Sequence, residues 1–202
     1  MSDEVVRAIA ALRSGGLAVI PTDTVYGLAC DAGDETPLRR LRSLKGRAAS
    51  QPTAIVAATV DVLLDLLPGL PPPAGAAVRT LLPGPFTLVL PNPERRFPWL
   101  AGKRPDTIGV RVPLLDGPGR RVLDAVGAVA ATSANLAGGP DPRHLGDVPA
   151  EIRAMAVTVD GGELPGVPST VLDLTGAEPV VLREGAVPAA DVLARVAVQQ
   201  AG

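Results

Sequence analysis

Short hydrophobic and polar runs alternate along the chain and predict helices and strands in turn. Residues 3–13 are amphipathic and end at two glycines, as helices do, whereas the wholly apolar run 17–20 predicts a buried strand. The same patterns predict further helices over 36–45, 61–67, 74–82, 120–126 and 188–198, and further strands over 54–58, 86–90, 107–112, 128–131, 155–160, 169–174 and 180–183.

Helices that interleave with strands predict an α/β fold built on a mixed, twisted sheet. The last three predicted strands follow one another through short turns, so we expect this part of the sheet to be antiparallel. The proline-rich connector 68–73 is too short for a domain boundary, and 202 residues are enough for one core. We therefore predict a single domain over residues 1–202.

Composition narrows the classes of protein and of site. Hydrophobic residues make up 47% and charged residues 20% of the chain, which favours a globular protein. The net charge of −2 and the aromatic content of 2% give no general argument for nucleic-acid binding. One cysteine, Cys30, and one histidine, His144, exclude an intrachain disulfide and make a cysteine- or histidine-based metal site difficult to build. Because neither a signal peptide nor an apolar run of about 20 residues is evident, we expect a cytoplasmic protein without a membrane span.

Two polar clusters directly follow predicted strands, where ligands bind in α/β sheets. Thr22, Asp23 and Thr24 offer donors and acceptors for a ligand; alternatively, one of them caps a following helix. The small-residue turn 132–135 exposes backbone N–H groups that can cradle a phosphate or a carboxylate; alternatively, it is an ordinary turn capped by Asn135.

Three cations are candidates for binding anions. Lys45 and Arg47 flank a glycine at the end of a predicted helix, where they can hold phosphate or complement the helix dipole. Arg111 lies in an apolar strand and shares a face with Thr107 and Gly109. It needs an anionic partner, which is either a substrate carboxylate or an Asp or Glu of the protein.

Taken in order, the segments PTDTVYGL, KGR, LLPGPFTLVL, TIGVRVP, TSAN, PSTVLD and LREG resemble the YrdC-like family of L-threonylcarbamoyladenylate synthases over about residues 15–185. The resemblance implies an open, twisted α/β sheet with flanking helices and a large concave cavity. It also implies an ATP-using nucleotidyltransferase that condenses L-threonine, bicarbonate and ATP into threonylcarbamoyl-AMP and pyrophosphate. The product would serve the N6-threonylcarbamoyladenosine modification of tRNA.

The same resemblance implies a set of site residues. The threonine-binding positions would be Thr22, Thr24, Arg111, Ala131 and Ser169. The ATP-binding positions would be Lys45, Arg47, Thr107, Ser133, Asn135, Asp141 and Arg183, of which Lys45 and Arg47 would be catalytic and Asp141 matches by spacing alone. Mg²⁺ would accompany ATP without a metal cage supplied by the protein. The chain departs from the family at Ala48, where Pro commonly follows KGR.

Two other functions are alternatives to synthesis. A noncatalytic module that binds double-stranded RNA or tRNA is the main alternative, although the acidic charge balance and scarce aromatics count against it. The related domain of hydrogenase maturation proteins lies in much longer chains with acylphosphatase-like and zinc-finger-like segments, which this chain lacks. The resemblance further implies handover of the product to the tRNA threonylcarbamoyl-transfer proteins, and it leaves direct RNA contact open.

Overall fold

The computed structural model describes residues 2–200, which form a nine-stranded mixed sheet with helices on both faces. The α-helices are α1 (Asp3–Arg13), α2 (Glu35–Lys45), α3 (Val60–Leu66), α4 (Pro72–Leu81), α5 (Gly117–Val126), α6 (Ala150–Met155) and α7 (Ala189–Gln200). The strands are β1 (Ala18–Pro21), β2 (Tyr26–Cys30), β3 (Ala54–Ala57), β4 (Phe86–Pro91), β5 (Thr107–Arg111), β6 (Ala128–Ser133), β7 (Val157–Thr158), β8 (Thr170–Asp173) and β9 (Val180–Arg183). Short 3-10 turns lie at Pro98–Leu100 and Leu145–Asp147.

The predicted α/β fold is confirmed, and several of the local predictions were wrong. Strand β2 follows the first polar cluster, where the sequence had suggested a helix cap. Helix α6 was missed, because it buries only Ile152 and is too short to show a helical period. Helix α2 begins at Glu35, one residue earlier than predicted, because the Asp34 carboxylate caps it by accepting the Thr36 N–H at 2.8 Å. The single-domain prediction includes residues 1, 201 and 202, which lie outside the described residues, and it stays a prediction.

The order of the strands brings most of the polar clusters side by side. Across the sheet the order is β7-β1-β2-β6-β3-β5-β4-β8-β9. The pairs β1–β7, β3–β5 and β4–β8 are parallel, and the remaining neighbours are antiparallel. The late antiparallel pairing is confirmed for β8 and β9, whereas β7 pairs with β1 at the opposite edge.

Helices cover the two faces of the sheet unequally. On one face, residues of α2, α3 and α4 pack with the sheet into the larger apolar cluster. On the other, α1 and α5 form a smaller cluster that includes Val56 of β3 and Ala131 of β6. These two residues also line a cavity. The cavity therefore lies on the same face of the sheet as α1 and α5, over the part of that face that the two helices do not cover.

Candidate active site

A cavity of about 460 Å³ opens on this uncovered part of the sheet. Its floor includes Ala54, Gly109 and Ala131, whose side chains are too small to fill the space. Ala54 lies opposite Ala131 in the β3–β6 ladder, so the floor runs across adjacent strands. The predicted face of β5 is confirmed, because Thr107, Gly109 and Arg111 line the cavity while the alternate residues are buried in the core.

Most of the predicted site residues converge on this cavity. Those that line it are Thr22, Arg47, Thr107, Arg111, Ala131, Ser133, Asp141, Ser169 and Arg183. The three remaining predicted residues, Thr24, Lys45 and Asn135, lie directly behind them and contact Arg111 or Ser133. The structure therefore joins segments distant in sequence into one site, while the ligand assigned to each residue stays a prediction.

The first polar cluster forms the tight turn between β1 and β2. The hydroxyl of Thr22 donates to the Val25 carbonyl at 2.7 Å and accepts the Thr24 and Val25 N–H groups at 3.2 and 3.3 Å. Thr22 and Thr24 are also joined through their hydroxyls at 3.1 Å. The turn thus satisfies its own polar groups while one side of Thr22 faces the cavity.

Arg111 has a protein carboxylate as its partner, the second alternative left open by the sequence. Its Nη2 pairs with Asp23 Oδ1 and donates to Thr24 Oγ1 at 2.8 Å, and both charged side chains are only 10% exposed. Burial lowers the pKa of Arg111, and the charge of Asp23 opposes that shift. The Nε of Arg111 is buried and has no hydrogen-bond partner among the described residues. The pairing with Asp23 and Thr24 therefore leaves part of the hydrogen-bonding capacity of the guanidinium unused.

Lys45 supports the turn that follows β6. Its Nζ donates to the Ser133 carbonyl and, at 3.0 Å, to Asn135 Oδ1. The same Asn135 oxygen accepts the Ser133 hydroxyl at 2.7 Å, and the Asn135 amide donates to Gly139 O at 2.6 Å. Asn135 therefore braces the turn internally, as one alternative predicted, and Ser133 faces the cavity, while the binding of an anion by this turn stays a prediction.

Burial of Lys45 predicts a pH dependence. The side chain is 3% exposed, and desolvation, with a further contribution from Arg47, lowers the pKa of Lys45 to about 8. We expect calorimetric titrations to show weaker binding of anionic ligands in the cavity as pH rises through about 8, because the positive charge that draws the turn together is lost. Tyr26 and Cys30 cannot cause this weakening, since burial raises the pKa of each to about 12.

Stability should change in the opposite direction over the same range. Between pH 8 and the ordinary lysine value of 10.5, the unfolded chain binds more protons at Lys45 than the folded chain, so raising the pH favours folding. Denaturation curves at each pH separate the two effects. A folded Lys45→Arg variant stays charged above pH 8, so its binding of anionic ligands should no longer weaken over this pH range. If binding still weakens with rising pH in that variant, a group other than Lys45 causes the change.

Arg47 is fixed toward the cavity by three neutral partners. Its Nη1 donates to Thr132 Oγ1 at 2.7 Å, its Nη2 to Pro52 O at 2.9 Å, and its Nε to Gln51 Oε1 at 3.0 Å. The guanidinium therefore bonds to β6 and to the loop before β3, and phosphate binding by Arg47 stays a prediction. Gly46, at a φ of 64°, ends α2 and turns the chain toward this position.

Ser169 and Arg183 form the far wall of the cavity, where β8 and β9 pair. Arg183 Nη2 donates to Ser169 O at 2.8 Å, and its Nε donates to the same carbonyl at 3.2 Å. The Ser169 hydroxyl also lies 2.9 Å from Thr87 Oγ1. Arg183 therefore has neutral partners and brings an uncompensated positive charge to this wall.

Sequence reasoning missed several residues that line the cavity, including Lys103 and Arg104. They lie in the loop before β5, and the only available signal was their position just ahead of Thr107. Arg104 pairs with Asp173 Oδ2 at 2.6 Å and donates to Thr175 Oγ1 at 2.7 Å. The cavity is therefore more strongly cationic than predicted, which suits it to anionic ligands.

The charge and shape of the site agree with small anionic substrates. Five cations and one acid, Asp141, line the cavity. Across residues 2–200 no three His, Cys, Asp or Glu side chains are grouped so that they could hold a metal ion. Within the same range, no helix has the length and apolar character needed to cross a bilayer.

Comparisons with known proteins agree with this site. The Sua5/YciO/YrdC family model, described as "Telomere recombination", matches residues 10–185. A threonylcarbamoyl-AMP synthase of Pyrococcus abyssi is 37% identical over 183 residues, covering 90% of this chain and 54% of the relative. One of Chromohalobacter salexigens is 38% identical over 181 residues, covering 88% of this chain and 96% of the relative.

A solved structure resembles this chain over nearly its whole length. The crystal structure of P. abyssi Sua5 complexed with L-threonine superposes with a TM-score of 0.86 at 34% identity, covering 96% of this chain and 58% of that one. This chain thus spans little more than half of the archaeal protein and nearly all of the C. salexigens relative. Matching sequence, strand arrangement and cavity together place the chain in the Sua5/YciO/YrdC family.

Proposed function

We propose that this chain is an L-threonylcarbamoyladenylate synthase, which condenses L-threonine, bicarbonate and ATP into threonylcarbamoyl-AMP and pyrophosphate. The names of the relatives at 37% and 38% identity support this activity. The observation that carries the proposal is the placement of Arg47 and Arg111 in one cavity. A nucleotide and an amino acid both present anionic groups, and guanidinium groups bind phosphates and carboxylates well.

The two arginines lie toward opposite ends of β3. Arg47 bonds to the Pro52 carbonyl just before this strand, whereas Arg111 lies opposite Val56 near its end. The small residues of the floor lie between them and leave space for reacting groups. A triphosphate at Arg47 and a threonine carboxylate at Arg111 would therefore place the α-phosphate and the threonine amine over the same floor.

The chemistry then requires positioning rather than a protein nucleophile. The threonine amine adds to bicarbonate or carbon dioxide and gives a carbamate, with loss of water when bicarbonate reacts. A carbamate oxygen attacks the α-phosphorus of ATP, the bond to the β-phosphate oxygen breaks, and pyrophosphate leaves with the electron pair. Fixed cations such as Arg47 and Arg183 stabilise the charge that develops on the phosphates, and the bound geometry lowers the entropic cost.

Mg²⁺ is expected to enter with ATP, whose phosphates would supply ligands to it. Asp141 is the carboxylate that lines the cavity, and one carboxylate fits a metal held mainly by phosphates and water. The ion would neutralise phosphate charge.

The product is a mixed anhydride that water can hydrolyse, so a cytoplasmic synthase would pass it promptly to a transfer enzyme. We propose the tRNA threonylcarbamoyl-transfer proteins as the recipients. Direct binding of double-stranded RNA or tRNA is a separate property and is not needed for synthesis.

Substrate dependence tests the proposal. Pyrophosphate release from ATP should require L-threonine and bicarbonate together, and an adenylate product should form in equal amount. The measurement is a coupled pyrophosphate assay with chromatography of the nucleotides, and omission of each substrate is the control.

Equal turnover without threonine would identify a general ATPase and overturn the assignment. Absence of turnover, combined with retention of double-stranded RNA on filters, would instead support the noncatalytic alternative.

A further inference from the structure

Asp23 is a charged residue of the β1–β2 turn that the proposed chemistry leaves without a role. One of its oxygens pairs with Arg111 Nη2, and the other accepts the Leu114 N–H at 3.0 Å. The side chain is 10% exposed. Because both oxygens are held, the negative charge is fixed beside the end of the cavity that Arg111 lines.

The cations of the cavity differ in how they are compensated. Asp23 compensates Arg111, and Asp173 compensates Arg104. Arg47 and Arg183 have only neutral hydrogen-bond partners among the described residues. A polyphosphate is therefore expected at Arg47 and Arg183, where positive charge is not already neutralised.

Compensation matters at Arg111 because Arg183, whose charge is not compensated, lines the same cavity. Burial lowers the pKa of Arg111, and the charge of Arg183 lowers it further. A polyanion drawn to Arg183 could thus also occupy Arg111 if nothing opposed it there. Coulomb repulsion grows with the charge of the incoming group, so a fixed carboxylate opposes a polyphosphate more strongly than a monoanion.

We propose that Asp23 is a specificity-determining residue, which reserves Arg111 for a singly charged carboxylate and excludes polyphosphate from that end of the cavity. Asp23 would select between the ligands through its repulsion of polyphosphate. The identity of the two ligands rests on the proposed function. It predicts that removal of the Asp23 charge opens a second polyphosphate site at Arg111.

Calorimetric titration with inorganic pyrophosphate, free of divalent metal, tests this prediction. The unmodified chain should bind one pyrophosphate, whereas Asp23→Asn should bind two. Asp23→Ala is titrated as well, in case one variant folds poorly, and melting curves show that the titrated protein is folded. Asp61→Asn is the matched control, since it removes a carboxylate that pairs with an arginine, Arg79, outside the cavity, and it should still bind one pyrophosphate.

Threonine titration provides the second readout. Saturating pyrophosphate should leave the threonine Kd of the unmodified chain nearly unchanged, and should raise that of Asp23→Asn about tenfold or more. One pyrophosphate per chain in both Asp23 variants overturns the proposal, as does displacement of threonine by pyrophosphate in the unmodified chain. If the unmodified chain binds pyrophosphate but no threonine, the proposed function fails, while a second pyrophosphate in the variants still supports charge selection.

Discussion

Replacement of Arg111 by alanine should lower the free energy of unfolding by about 3–5 kcal/mol, because it leaves Asp23 as an uncompensated buried charge. Both members of the pair are 10% exposed, so water cannot readily replace the guanidinium. In the protein that stays folded, threonine binding should weaken as well, because Arg111 is the proposed partner of the threonine carboxylate, whereas ATP binding should change little. Urea denaturation measures the loss of stability, and calorimetric titration of the folded protein measures the two affinities.

Two matched variants distinguish the loss of stability caused by breaking a buried ion pair from a general effect of losing an arginine. Arg79→Ala breaks the Arg79–Asp61 pair, whose side chains are 63% and 85% exposed, and should cost about 1 kcal/mol or less. The double replacement Arg111→Met with Asp23→Leu removes both buried charges, and most of the lost stability should return. Unchanged stability of Arg111→Ala, with a selective loss of threonine affinity, would show that Arg111 serves the ligand and that its pairing with Asp23 is unimportant for folding.

The fold was predictable where the apolar residues of an element recur with the spacing of a helix or a strand. The β5 segment alternates apolar and polar residues, and the observed strand puts Arg111 on the predicted face. Strand β2 carries no such alternation, because its five residues are buried in the middle of the sheet. The polar cluster before it looked like a helix cap, since a tight turn and a cap use the same short polar side chains.

The site was predictable as a set of positions and not as a set of contacts. The order of motifs identified residues that converge on one cavity, such as Thr22 and Ser169. Pairing of Arg111 with Asp23 depends on bringing the β1–β2 turn beside the end of β5, which no local pattern reveals. Lys103 was missed for the same reason, because a lysine in a polar loop is ordinarily solvated and nothing nearby in sequence marks it as cavity-lining.

Replacement of Arg47 by alanine should reduce kcat/KM by about 30- to 1,000-fold, which corresponds to about 2–4 kcal/mol of transition-state stabilisation. The guanidinium lines the cavity, is half-buried, and is held by Thr132, Pro52 and Gln51, none of which neutralises its charge. A cation fixed in this way can stabilise charge that develops on the phosphates without reorganising. Steady-state kinetics with pyrophosphate detection measures the effect.

Stability should fall only modestly in the same variant, because the three acceptors that lose the guanidinium are uncharged and belong to residues that are exposed or half-buried, so water can replace the lost donors. Arg40→Ala is the matched control, since Arg40 is an exposed cation on the same helix α2 that precedes Arg47. It should keep both stability and turnover, which excludes a general effect of removing positive charge. Wild-type turnover in Arg47→Ala would restrict Arg47 to holding the loop before β3 against β6, and the phosphates would then have to be bound by other cations such as Arg183.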